Sequence, residues 1–238
     1  MQWNLLSNLV HYFDEYSGYS FIEAYIRHQN TLPPKTRYRY ASVKNLSTSL
    51  LTNIQLVFEK NRDFLFLSPF CPSTALPATT QCTLSIGSLL ALRKHHLFDN
   101  ELLYRSVQMI FLPSSVVSTR WIMDQLDSDE IFVKLVLAII AFSTNNSIVH
   151  TQSVSIDLVD MKTMSSVQNM YVELTWQYLL HRYNHHEAVS RFSNIIRCVI
   201  LMNDIVIEAN EFQRFMKLTD TIIKQTEQKL HISERDTF

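Results

Sequence analysis

The stretch "VQNMYVELTWQYLLHRYNHHEAVSRFSNIIRCVILMNDIV", residues 167–206, decides the fold. Two apolar segments flank a polar knot at residues 183–187. In the first, Val167, Met170, Tyr171, Leu174 and Tyr178 recur at helical spacing; in the second, Val189, Phe192, Ile195, Ile196, Val199 and Ile200 do the same. That period places each set on one face of a helix. Asn184 stands three residues before Glu187, a capping-box pair that satisfies backbone N–H groups at a helix start, so the knot reads as a helix–helix turn. The second helix is expected to reach about Met216, with a break near Asn203 and Asp204. A helix this apolar either packs wholly into a core or divides its faces between the core and a partner subunit.

The rest of the chain sets bounds on that choice. At 238 residues, 47% hydrophobic and 18% charged, it can bury a large core and is not a disordered segment. Its net charge of −1, with no basic stripe, lacks the footprint of a nucleic-acid-binding surface, so no nucleic-acid contact is expected. The three cysteines, Cys71, Cys82 and Cys198, form no CxxC pair, which speaks against a disulfide framework or a zinc finger and for a reducing compartment. The first residues carry early acids and no basic segment, unlike a signal peptide, and the apolar run 131–142 is interrupted by Lys134 and too short to span a bilayer. No membrane contact is expected.

The chain has only two glycines, Gly18 and Gly87. Glycine-rich phosphate loops, nucleophile elbows and tight hairpins all need more. An all-α chain is the economical reading. Residues 1–30 read as one or two helices broken by Gly18 and ended by Pro33 and Pro34. Leu46, Leu50, Ile54, Val57 and Phe58 mark the next helix, and residues 84–98 a further one, nearly free of charge until Arg93. Residues 104–117 carry aromatic and β-branched side chains around Pro113, Ser114 and Ser115, and are expected to form a short β-hairpin. Asp127 with Glu130, and Ser165 with Gln168, are read as two further helix starts. No linker divides the chain, so residues 1–238 are read as one domain.

Candidate chemistry is sparse. His181 and His185 are four apart beside Glu187, but a new helix starting at Asn184 would break their shared face, and two ligands do not make a metal site. His95 and His96 are adjacent and point apart. The acids Asp124, Asp127, Asp129 and Glu130 are the one feature of a metal-dependent isoprenoid-type helical enzyme, but no second acidic motif faces them and capping explains two of them. No catalytic residue, metal or cofactor is assigned.

"LDSDEIFVKLVLAIIAFSTN", residues 126–145, and the chain across 167–218 resemble the ligand-binding domain of nuclear receptors. Leu126, Asp127, Glu130, Leu135, Ile139 and Phe142 match that family's acidic helix start running into an apolar stretch. His181, Arg182 and Tyr183, followed by Arg191 and Phe192, are similar to the segment that opens its long dimerisation helix, and "FQRFMKLTD", 212–220, to the segment before its last helix. Phe58, Lys60, Phe64, Leu76, Pro77, Gln81 and Leu84 follow its upstream signature in outline, with Thr80 in place of the usual Asp and a longer connection between Phe64 and Leu76.

The resemblance implies a three-layer antiparallel helical sandwich of ten to twelve helices, with residues 1–40 as divergent N-terminal helices. It implies a pocket for a hydrophobic small molecule, for which Leu50, Ile54, Val57, Leu89, Leu92, Phe111, Phe212 and Phe215 are the candidates. It implies a homo- or heterodimer through Arg191, Ile195, Ile196 and Val199, and co-regulator proteins clamped by Lys60 and Glu227. The counterpart of Glu130 pairs with an arginine of a later helix in that family, a role open here to Arg182 or Arg191. Asn100 and Glu101 stand where an arginine would anchor a ligand's acid group. Around Glu227 the neighbours Lys224, Gln225, Thr226, Gln228 and Lys229 are polar, so residues 221–238 are expected to be a degenerate last helix or a tail. The implied role is transcription regulation in the nucleus, with the cytoplasm as an alternative location. A ligand-free helical interaction module is the competing class.

Overall fold

The computed structural model describes the backbone of residues 2–61, 78–143 and 158–235, with side chains for 3–61, 81–143, 162 and 165–212. The described chain is helical and contains no strand. The helices are α1 (Gln2–Tyr16), α2 (Tyr19–Thr31), α3 (Tyr40–Lys60), α4 (Ala78–Lys94), α5 (Glu101–Ile110), α6 (Pro113–Gln125), α7 (Glu130–Ala141), α8 (Leu158–Arg182) and α9 (His185–Arg235).

Gly18 separates α1 from α2 in the left-handed conformation, φ 84°, and a Cβ there would lie 2.5 Å from the Asn53 side chain. Glycine meets both demands at no steric cost. The other glycine, Gly87, sits inside α4 where a Cβ would come within 2.8 Å of Ile54 Cγ2, so its bare backbone lets α3 and α4 approach. Of the stripe read on α3, Leu46, Leu50, Ile54 and Val57 are buried and Phe58 is half-buried, and Val43 extends the buried face.

α3 packs against α1, α4 and α5; α4 packs against α7 and α9; α7 packs against α8 and α1; and α9 runs along α6. The main core lies among α1, α4, α7, α8 and α9, and includes Phe13, Ile54, Leu90, Phe132, Leu135, Tyr171 and Ile195. A smaller core under α2, α3 and α5 gathers Ile22, Val43, Leu50, Ala91 and Leu103, and Leu92 touches both.

Four expectations are corrected. Residues 104–117 form the body of α5 and the start of α6 rather than a hairpin. Leu103, Val107 and Ile110 are spaced for a helix that faces the smaller core, Asn100 caps it through the N–H groups of Leu102 and Leu103, and Pro113 occupies the first turn of α6, where its missing N–H costs nothing. The cap of α7 is Asp129, two residues beyond Asp127. Ser165 lies inside α8, which begins at Leu158, and Gln168 donates to the Ile139 carbonyl instead of closing a capping box. α9 continues unbroken past Asn203 and Asp204, held there by the buried Met202 and Val206.

Within α7, Lys134 is the one charge beyond the first residue of an apolar helix, and its side chain is 4% exposed. It donates to Asp14 of α1 at 2.8 Å and lies over the Phe13 ring. Lys134 is buried and Asp14 is 59% exposed, so removing the acid strands a buried cation, whereas an apolar replacement of the lysine leaves behind only a solvated acid. Asp14→Asn is therefore expected to lower stability by about 3 kcal/mol, and Lys134→Met to change it by less than about 1 kcal/mol. Urea unfolding followed by circular dichroism checks the order; the reverse order would show that the bridge does not anchor α1.

Candidate functional site

Side chains from α4, α8 and α9 converge on the corner between α6 and α7, residues 125–130. The corner needs them for a local reason. α6 ends at Gln125, leaving its last carbonyls without helical partners and carrying the negative end of the helix dipole. Arg93, at the end of α4, donates to the Leu126 carbonyl and, at 2.7 Å, to that of Asp127. Asn194 of α9 donates to the Gln125 carbonyl at 2.8 Å.

α7 then starts with the complementary problem of free N–H groups. Asp129 accepts from the Ile131 and Phe132 N–H groups at 3.1 and 3.2 Å. Its carboxylate also accepts from the Tyr178 hydroxyl at 2.8 Å and from the Tyr183 hydroxyl at 2.9 Å, and forms an ion pair with Arg182 at 3.2 Å. Asp127 accepts from the Asp129 N–H and from Arg191 at 2.7 Å. Arg191 also bonds Glu187 and stacks over the Tyr183 ring, 4.0 Å from its centroid. Asn184 caps α9 through the Glu187 N–H at 2.9 Å, as its spacing implies.

The electrostatics follow from this packing. Burial, reinforced by the bond to Asp129, pushes the Tyr178 phenol well above its ordinary value. Burial likewise pushes Tyr19 up to about 12, with Glu130 adding to the effect. Burial lowers the Arg93 guanidinium, opposed by Glu130 and Asp127. The Asp129 carboxylate is saturated with donors and its phenol partners are held neutral. Chemically this is a lock: Asp127 is tied to Arg191, and Asp129 to Tyr178, Tyr183 and Arg182. Among the described residues no group of three or more His, Cys, Asp or Glu is placed to hold a metal. No described helix is long and apolar enough to cross a membrane.

Leu50, Ile54, Val57 and Leu89 are buried, Leu50 in the smaller core and the other three in the main one. Leu92 is half-buried, while Phe111 and Phe212 are each 43% exposed. Of these only Leu92 lines either of two described depressions, one of about 520 Å³ and one of about 220 Å³. Lys60 is exposed at the end of α3. The side chains of Phe215 and Glu227 lie outside the described residues. Of the interface candidates, Arg191 belongs to the corner, Ile195 is buried, Val199 is half-buried and Ile196 is exposed. Val189, Ile196, Ile200 and Ile207 form an exposed apolar stripe along α9.

Sequence reasoning missed Arg93, Asn194, Asp129 and Tyr178 as members of the corner. The usable signal was Arg93 itself, the first charge after a long uncharged helix, because a charge drawn into such a helix end needs partners.

Two outcomes are expected of the corner. Asp129→Asn removes the charge and turns an amide donor toward two phenol donors, costing about 2–4 kcal/mol in urea unfolding. Tyr19 and Tyr178 are both raised in the fold from an ordinary value of 10.0, so the protonated phenols are the favoured form. Their contribution is complete below pH 10.0, and that of Tyr19 is lost as pH rises through about 12. The urea midpoint should therefore fall from about pH 10 to about pH 12, and Tyr19→Phe with Tyr178→Phe should flatten that fall. An equal fall in the double variant would place the alkaline sensitivity elsewhere.

Compared with family models, curated proteins and solved structures, the chain matches none of them.

Proposed function

We propose that the chain is a regulatory domain of the nuclear-receptor ligand-binding type, working in the nucleus through a partner subunit and co-regulator proteins. The observation that carries this reading is the corner. The resemblance implies an acid at the foot of a short apolar helix tied to an arginine of a later helix. Asp127 is bonded to Arg191 at 2.7 Å and Asp129 is paired with Arg182 at 3.2 Å, which fits that arrangement with the acids shifted from Glu130. The order of packing also supports it. α4 packs against both α3 and α9, and α9 against α6, which suits the layered arrangement that the resemblance implies.

In this reading α9 has two jobs. Ile195, Cys198, Met202 and Val206 face the core, and the outer stripe meets a second copy or a related chain. A hydrophobic small molecule bound among the α3 and α4 residues would bias the position of the C-terminal segment and hence which co-regulator helix docks. A second reading is favoured by one observation. Leu50, Ile54, Val57 and Leu89 are already packed, and Gly87 is pressed against Ile54. That suits an interaction module with a filled core and no ligand.

Two measurements test these readings. Light scattering at about 50 μM should find a dimer, and Ile196→Glu with Ile200→Glu should weaken it at least about 100-fold without changing the circular dichroism. A wild-type monomer would overturn the partner role of α9. Native mass spectrometry after incubation with a lipid extract separates the two readings. A retained small hydrophobic molecule supports the first, and a clean dimer supports the second.

A further inference from the structure

The outer face of α9 is regular. Val189, Ile196, Ile200 and Ile207 are between 39% and 58% exposed. At about 100° per residue they fall within an arc of about 40°, turned away from the buried Ile195, Cys198, Met202 and Val206. They stand seven, four and seven residues apart, so the stripe reads the same from either end about Cys198. It runs about 27 Å along the helix. On one flank the apolar surface continues onto α6, where Val117 and Trp121 are exposed and Arg197 of α9 lies over the Trp121 ring, 5.9 Å from its centroid. A continuous exposed apolar surface of this kind marks a protein contact.

On the other flank lies the smaller depression, about 220 Å³, between the start of α4, the end of α7 and α9. Ile139 and Val199 line it, and Ile200 of the stripe forms part of its wall. It is below the roughly 300–1,000 Å³ of small-molecule sites. A socket of that size beside an apolar stripe suits a single side chain of a docked helix, the arrangement typical of an interface hot spot.

The exposed charges give the occupant and its direction. Arg197 is exposed in the first part of α9, whereas Asp204, Glu208 and Glu211 are exposed beyond it, with no Lys or Arg between 198 and 212. Two copies lying parallel would set Arg197 level with Arg197 and each acid level with itself. Two copies lying antiparallel about residue 198 set each Arg197 against the acidic part of the other copy, with Asp204 about 8 Å away along the axis. Exposed pairs add little to affinity, but like charges held level are unfavourable, so the charges select direction while the apolar stripe supplies binding.

We infer that α9 pairs with α9 of a second copy of this chain, antiparallel and centred on residue 198. In that register Val189 lies level with Ile207 of the other copy, and Ile196 with Ile200, whose depression receives it. The register rests on the partner role proposed for α9; it adds what the partner is and how it lies.

The ends of the stripe give the sharpest test. Val189 meets Ile207 of the other copy in the antiparallel register but stands about 27 Å from its Val189; parallel pairing reverses these distances. Val189→Glu and Ile207→Lys should each weaken self-association at least about ten-fold in sedimentation equilibrium. An equimolar mixture of the two variants should recover a mixed dimer in native mass spectrometry, and a mixture of Val189→Glu with Val189→Lys should not. Circular dichroism checks that these exposed sites leave the fold intact. If an end variant unfolds, the centre tests the same register: Ile196→Glu with Ile200→Lys in one chain should dimerise at least about ten-fold more tightly than Ile196→Glu with Ile200→Glu. Rescue by the Val189→Glu and Val189→Lys mixture, or by neither mixture, would overturn the antiparallel register and leave the partner role of α9 standing. A wild-type monomer, or a dimer untouched by the substitutions, would overturn both.

Discussion

Helix ends are the expensive part of a helical protein, because each leaves backbone groups without partners, and two ends meet within residues 125–130. The spent carbonyls of α6 attract Arg93 and Asn194, and the open N–H groups of α7 are closed by Asp129. Because Asp129 is buried, its charge needs more donors than the helix offers, and Tyr178, Tyr183 and Arg182 supply them from the end of α8. Arg191 then closes the first turns of α9 onto Asp127. One local shortage of hydrogen bonds thereby fixes the relative placement of α4, α6, α7, α8 and α9. The hydrophobic effect drives these helices together without direction; the corner gives their packing its register.

The parts legible in sequence are those with a strong local signal. The stripe on α3, the break at Gly18 and the cap at Asn184 are each written in a few adjacent residues, and each was found where expected. The hairpin misreading at 104–117 has a definite cause. Tyr104, Val107, Ile110 and Val116 are β-branched or aromatic, but the choice between strand and helix lay with burial against Val43 and Leu46, which is not local. The cap of α7 was misplaced for a related reason. Asp127 and Asp129 are equally good caps in isolation, and Arg191, more than sixty residues away, claims the former.

The corner shows the same limit more sharply. Its acids were noticed as a cluster, but their partners are scattered over Tyr178, Arg182, Tyr183 and Arg191, and the carbonyls beside them are met by Arg93 and Asn194. No periodicity links them. What separates a metal-binding set of carboxylates from a structural one is the sign of the groups facing it. Here guanidinium and phenol groups face the acids, and that can be read only after the chain has folded.

The Lys134–Asp14 bridge joins residues 120 positions apart. A ribosome adds about 5–20 residues per second, so α1 emerges some 6–24 s before the cation that secures it. Throughout that interval Leu9 and Phe13, which the finished core covers completely, have no α7 to pack against. α9 is made later still. The main core is therefore closed by its last-synthesised helices, and the nascent chain carries an uncovered apolar helix for most of its synthesis. The smaller core, made from residues 22–110, can close early, while closing the main core waits on contacts of long sequence separation.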